Sequence, residues 1–287
     1  MWLRKAVAGQ MRKLDVAGDL NHNARAHLTP FMDAKLPINL FKQAIREGRP
    51  QIGLWSSLCS NVAAEVIAGS GFDWILIDTE HAPNELPMVV SQLQALGGGT
   101  AAPVVRPAWN DTVIMKRLLD AGVQNLLVPY VQTAHEATAA VAATRYPPQG
   151  VRGVAVAHRG NRFGRVKDYY KRIGDELCVL VQIETRQAVQ NLEAIAAVEG
   201  VDGLFIGPSD LAADLGHLGE PGHPEVRAVI EDALKRIRKA GKAPGILAPV
   251  EADARHWLSV GCVVLAVGSD LNLLARHSEQ LAAKFKS

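Results

Sequence analysis

Two acidic residues, each closing an apolar run, set what this chain could do chemically. In Val179-Leu-Val-Gln-Ile-Glu184 the aliphatic and β-branched residues give way to polar ones only at the end, as in a parallel strand covered on both faces. Strand side chains alternate, so Gln182 and Glu184 share a face while Ile183 points away. Gly203-Leu-Phe-Ile-Gly-Pro-Ser-Asp210 repeats the pattern, with Asp210 at the start of a short helix. Two hard oxygen ligands from neighbouring parallel strands can hold a divalent cation that keeps positions for water or substrate. Each carboxylate alone reads equally well as a helix N-cap.

Further polar residues close other apolar runs. Asp78-Thr-Glu-His81 follows one and Arg106 ends another, while Ser209 precedes Asp210. A base, a cation, an amide and two possible metal ligands then converge, which capping explains poorly. Other chemistries find less support. The chain has no Gly-x-Ser-x-Gly elbow, no cysteine beside a plausible histidine, and no lysine closing a strand-like run to form a Schiff base. Gly97-Gly-Gly99 falls between helix and strand and reads as a turn; Gly268-Ser-Asp270 could hold an anion at a helix N-terminus.

The elements that must position these groups alternate regularly from about residue 37. Strands are expected at 51–57, 72–81, 103–107, 125–131, 177–184, 203–207, 243–248 and 263–268. Helices are expected at 39–47, 61–68 (capped by Asn61), 85–96, 111–119, 134–143, 187–197, 223–240, 251–259 and 271–284. Eight strands, at about thirty residues per unit, fit a single-domain (β/α)₈ TIM barrel, whose sites lie at the C-terminal ends of the strands. A doubly wound open sheet is the alternative, but there is no glycine-rich first turn. The longest interruption is a Gly- and Arg-rich stretch at 149–167.

Composition is that of a globular protein: 287 residues, 48% hydrophobic and 21% charged. A formal net charge of +2 gives no reason to expect nucleic acid or an anionic membrane as partner. No apolar run reaches the roughly 18 residues a membrane span needs. Cys59, Cys178 and Cys262 are dispersed in apolar settings, so buried thiols of a reduced, cytoplasmic compartment are expected and a disulfide framework is not. Residues 1–31 carry Arg4, Lys5, Arg12, Lys13 and Arg25 against Asp15 and Asp19. The slight basicity therefore belongs to this segment, which is expected to be a poorly ordered extension, the barrel occupying 32–287.

Several motifs together resemble the metal-dependent class II pyruvate aldolases: Asp78-Thr-Glu-His-Ala-Pro-Asn84, Val104-Val-Arg-Pro107, Leu126-Leu-Val-Pro129, Ala143-Thr-Arg-Tyr-Pro-Pro148, Val181-Gln-Ile-Glu-Thr185, Gly203-Leu-Phe-Ile-Gly-Pro-Ser-Asp-Leu211 and Gly241-Lys-Ala-Pro-Gly-Ile-Leu247. The resemblance runs from about residue 37 to the C-terminus. It implies that Glu184 and Asp210 hold Mg²⁺, Mn²⁺ or Co²⁺, that Gln182 and the Ser209–Asp210 backbone position pyruvate, that His81 is the general base and that Arg106 stabilises the enolate. It also implies that Asp120 raises the basicity of that histidine from a neighbouring subunit of a hexamer whose last helix is exchanged between partners. The expected reaction is reversible cleavage of a 4-hydroxy-2-oxo acid to pyruvate and an aldehyde. Trp55 and Leu247 would line the aldehyde chain, or equally be plain core. The departures lie mainly at 153–165, read either as a solvated loop or as a basic lid, through Arg159 and Arg162, selecting an acidic aldehyde such as succinic semialdehyde. An aldolase for 2-keto-3-deoxy sugar acids and a citryl- or malyl-CoA lyase are the alternatives; the latter would call for an adenine-nucleotide site, which the sequence does not display.

Overall fold

A computed structural model describes residues 34–286. The extension expected at 1–31 lies outside the described residues.

Strands β1 (Gln51–Ser56), β2 (Trp74–Asp78), β3 (Ala102–Arg106), β4 (Asn125–Val128), β5 (Cys178–Ile183), β6 (Gly203–Ile206), β7 (Ala243–Leu247) and β8 (Val264–Ser269) pair in parallel in sequence order, and β8 returns to β1. The barrel is closed, as the alternation predicts. Helices α1 (Leu40–Arg46), α2 (Asn61–Ala68), α3 (Leu86–Leu96), α4 (Thr112–Asp120), α5 (Ala134–Thr144), α6 (Tyr169–Glu176), α7 (Arg186–Gln190), α8 (Leu192–Ala196), α9 (Pro208–Asp214), α10 (Pro224–Lys239), α11 (Glu251–Val260) and α12 (Asp270–Ala283) surround it.

Local chemistry sets the helix starts. Thr133 and Glu136 close a reciprocal capping box on α5, and Asp111 accepts from Val113 and Ile114 N–H to start α4. The cap of α2 is Ser60, whose Oγ accepts from Ala63 N–H, so the expected cap Asn61 is instead the first helical residue.

Burial divides into two layers. Outward-facing strand residues such as Ile75, Ile77, Val105, Val179 and Val181 pack against the helices. Inward-facing Trp55, Trp74, Leu76, Val104, Leu180 and Phe205 fill the barrel, with Trp55, Trp74 and Phe205 meeting at centroid distances of 5.7–6.4 Å. Gly53 is required here, since a Cβ would fall 2.2 Å from the Trp74 ring. The interior is a packed core, and the polar side chains of the strands gather at its two ends.

Three differences from the sequence reading have local causes. Helix α6 fills the stretch between the interruption at 149–167 and the strand expected from 177, where no element is expected; Gly174 and the lack of a side-chain cap hide it, while Tyr169 and Ile173 anchor it by burial. The helix expected at 187–197 is broken at Asn191, whose amide donates to Gln132 O at 2.8 Å. Cys178 and Cys262 are buried free thiols, but Cys59 is only partly buried, in a turn at φ 55°.

Candidate active site

The C-terminal rim of the barrel collects the polar strand ends. Asp78, the last residue of β2, is buried. It takes a two-pronged contact from Arg106 at the end of β3, with Nε to Oδ1 at 2.9 Å and Nη2 to Oδ2 at 2.7 Å. Burial opposes ionisation of Asp78, but the guanidinium and the N–H groups of Glu80 and His81 outweigh it and hold the carboxyl below its usual range. The same carboxylate therefore folds the Asp78–His81 turn and fixes Arg106.

The remaining Arg106 edge faces Gln182 Oε1 at 3.4 Å and Glu80 Oε2 at 2.9 Å. The Glu80 contact lies off the N–H direction, so that buried oxygen has a charge partner but no aligned hydrogen bond. Gln182 Nε2 donates to Glu184 Oε1 at 2.7 Å. Glu184 Oε2 accepts from Tyr130 N–H at 3.0 Å, and Tyr130 adopts φ 55° at the end of β4. Gly207 makes room: a Cβ there would lie 2.2 Å from Glu184 Oε1.

Glu184 is 2% exposed. Burial, reinforced by the charges of Asp210 and Glu80 and opposed by the Tyr130 N–H and Arg106, pushes its carboxyl up to about 7. Burial, with Asp78 and Asp210 adding to it, also raises Glu80, partly offset by Arg106 and His81. Asp210, in the first turn of α9, is half-buried, and no described hydrogen bond or ion pair engages its carboxylate. Asp78, Glu80, Glu184 and Asp210 thus share the mouth with the guanidinium of Arg106, which Asp78 and Glu80 already face, and negative charge is in surplus. A divalent ion would relieve that repulsion, and carboxylate oxygens are the donors Mg²⁺ or Mn²⁺ prefers. The residues present fit such an ion.

The expected site residues are sorted by the fold. Glu184, Asp210, Gln182 and Arg106 share the rim. His81 stands at its edge with its side chain 63% exposed and Nε2 3.8 Å from Glu80 Oε2. Ser209 is exposed beside Asp210. Trp55 faces the barrel interior beneath Arg106, its ring 5.5 Å from the guanidinium carbon, and Leu247 packs against the same interior cluster.

Asp120 does not reach this rim. It ends α4 at the opposite end of the barrel and accepts from Arg152 Nη2 at 2.8 Å. The arginine-bearing segment at 153–165 lies there too: Arg159 donates to Ala121 O and Gly160 N–H to Asp120 O. Within one chain it cannot be a lid over the C-terminal rim, because it joins α5 to α6 at the end of the barrel where β5 starts. The anion site suggested at Gly268-Ser-Asp270 is also corrected, since Asp270 is buried and receives the N–H groups of Ser57, Leu58 and Leu271. Sequence reasoning passed over Glu80 and Tyr130 as site residues. Both follow apolar strands on the same rim, and that position was the available signal.

Residues 51–277 match the family described as HpcH/HpaI aldolase/citrate lyase. The chain is 59% identical over 248 residues to a 4-hydroxy-2-oxo-heptane-1,7-dioate aldolase of Klebsiella pneumoniae subsp. pneumoniae, covering 86% of this chain and 94% of that protein. It is 58% identical over 251 residues to a pyruvate aldolase of Rhizobium etli, covering 88% and 99%. Among solved structures, an HpcH/HpaI aldolase/citrate lyase family protein from Burkholderia cenocepacia superposes with a TM-score of 0.84 at 41% identity, over 87% of this chain and 100% of that one.

Proposed function

The chain belongs to the HpcH/HpaI aldolase/citrate lyase family, and on that premise we propose that it is a metal-dependent carbon–carbon lyase. Its substrate is 4-hydroxy-2-oxoheptanedioate, cleaved reversibly to pyruvate and succinic semialdehyde. The observation that carries this reading is the buried Glu184, set against Asp210 and Glu80 beside a single, already committed guanidinium.

Glu184 and Asp210 hold the ion. Mg²⁺, Mn²⁺ or Co²⁺ bound there supplies Lewis-acid stabilisation of charge on the pyruvate oxygens. Gln182, tied to Glu184 at 2.7 Å, and the Ser209–Asp210 backbone orient the pyruvate half. Cleavage needs a proton taken from the C4 hydroxyl, and His81 is the base, exposed toward the mouth. As the C3–C4 bond breaks, the electron pair moves into the pyruvate enolate. Arg106, pre-positioned by Asp78, faces that negative charge without reorganising. Trp55 and Leu247 bound the aldehyde side.

Within its own chain the His81 ring has, among the described residues, only the Glu80 carboxylate beside it, at 3.8 Å and already facing Arg106; Asp120 of a neighbouring subunit is the carboxylate that raises its basicity. Helix α12 supports an assembly: Leu271, Leu273, Leu274 and Leu281 are exposed while only Asp270 is buried, as suits a helix exchanged within a hexamer. Free thiols fit a cytoplasmic setting. Residues 1–31 are an extension to the barrel at 32–287.

The test is release of the 2-oxo acid (pyruvate from the hydroxy-oxo acids, oxaloacetate or glyoxylate from the thioesters) from a panel of substrates, with and without chelator. The panel holds 4-hydroxy-2-oxoheptanedioate, 2-keto-3-deoxy sugar acids and acyl-CoA thioesters. Chelator-sensitive cleavage that favours the dicarboxylate is expected. Activity indifferent to chelation would sink the metal role, and preference for a sugar acid or thioester would sink the substrate.

A further inference from the structure

The connection between α9 and α10 holds a second set of metal-ligating side chains, apart from the catalytic carboxylates. His217, Glu220 and His223 recur at every third residue. The backbone explains why they meet. Glu220 N–H donates to His217 O and His223 N–H to Glu220 O, both at 2.9 Å, and successive i,i+3 bonds place such side chains one above another. Gly216 and Gly219, at φ 90° and 84°, allow the chain to wind this tightly.

The imidazoles of His217 and His223 stack at 3.6 Å with an interplanar angle of 16°. One donor atom from each of the three residues lies within 4.8 Å of the others. His217 Nε2 sits 2.9 Å from Glu225 Oε2. With that carboxylate accepting from Nε2–H, the Nδ1 lone pair would be free for an ion, the outer-shell arrangement common for metal-binding histidines. His223 Nδ1 makes a long contact of 3.3 Å with Glu225 N–H. Coordination through Nε2 gives up only that contact.

We propose that His217, Glu220 and His223 bind a borderline divalent transition ion, of the Zn²⁺, Ni²⁺ or Co²⁺ type. Two imidazoles and a carboxylate favour such ions over Mg²⁺, which suits the all-oxygen mouth of the barrel. Ligands about 2.1 Å from one ion stand at most about 4.2 Å apart, so on binding the loop draws in and the two stacked rings splay, since lone pairs in near-parallel planes do not meet at one ion. The site lies outside the catalytic machinery and stands whether or not the aldolase reading holds.

The test is zinc stoichiometry of the untagged full chain by equilibrium dialysis, with Cu²⁺ as a second probe read by electron paramagnetic resonance. His217→Ala with His223→Asn keeps a capping residue at the start of α10. It should bind one zinc equivalent fewer than wild type and lose a copper signal split by two nitrogens. Its far-UV circular dichroism and magnesium-supported turnover should not change. Glu220→Gln should weaken zinc at this site by about tenfold or more. Equal zinc stoichiometry and an unaltered copper spectrum in the double variant would overturn the proposal.

Discussion

The two ends of the barrel each carry an arginine–aspartate pair, and they are balanced in opposite ways. At the C-terminal rim Arg106 gives Asp78 both prongs of its guanidinium, and three further carboxylates at positions 80, 184 and 210 crowd around it. At the N-terminal rim Arg152 is fully buried and reaches Asp120 through one nitrogen, while its Nε and Nη1 and the Nε2 of His158 find no partner. The guanidinium also stacks on Tyr146 at 4.6 Å. One end has surplus negative charge and the other surplus donors. The lesson is that an ion pair is not a function; what surrounds the pair decides. Surplus carboxylates favour a cation among them, whereas a cation over an aromatic ring beside a partly exposed aspartate makes a rigid corner.

The largest expected effect breaks the catalytic end. Glu184→Gln with Asp210→Asn removes two anionic ligands, and loss of several kcal/mol of transition-state stabilisation implies about 10³-fold or more in rate. Calorimetric titration with Mn²⁺ should show no saturable binding at the mouth; retained tight binding would refute the ligand assignment.

His81→Ala should lose about 10²–10⁴-fold in turnover while still binding metal and oxalate, an enolate mimic. Near-normal cleavage would remove His81 from the base role.

Asp120→Asn sharpens the comparison most. Within its own chain it leaves Arg152 buried without a carboxylate, so thermal denaturation should register a loss of about 3 kcal/mol. If Asp120 also serves a partner's His81, turnover falls by about 10–10²-fold. Mixing His81→Ala with Asp120→Asn subunits should then restore part of the activity through sites that combine the intact copies. No restoration in a verified mixed assembly would confine Asp120 to the structural corner.

A smaller effect concerns pH. The Glu184 carboxyl is raised to about 7 in the metal-free protein, so it is uncharged below that value and ionised above it. Metal binding needs the carboxylate. Mn²⁺ affinity should therefore be full above pH 7 and weaken by about tenfold per unit as pH falls through it. A flat profile between pH 5.5 and 8 would contradict the burial argument. The smallest effect expected is from deleting residues 1–31, with turnover and melting temperature unchanged in the truncated chain; loss of either would tie that segment to the barrel.

Much of the catalytic rim was legible because strand patterning carries position as well as type. An apolar run ending in Gln-x-Glu or in Arg states which residues stand at a strand's end and which share a face. Glu184, Gln182 and Arg106 followed from that alone, and the barrel followed from eight such runs. Glu80 was less visible, since it lies beyond β2 in a turn folded by Asp78, and turn geometry leaves no periodic trace. Tyr130 contributes its backbone N–H, which has no residue identity to read. Helix α6 was hidden because its burial rests on two residues, too few to establish a period.

The sequence by itself determined the alternation, the closed barrel and the residue types at each strand end, because these depend on local hydrophobic period and chain connectivity. Only the tertiary structure decided how those ends combine: that Asp78 saturates Arg106, that Asp270 closes onto β1 instead of binding an anion, and that the arginine segment sits at the far rim from Glu184. Those outcomes depend on distances between residues remote in the chain. Electrostatic and hydrogen-bond partners are chosen by through-space geometry, which no local pattern encodes.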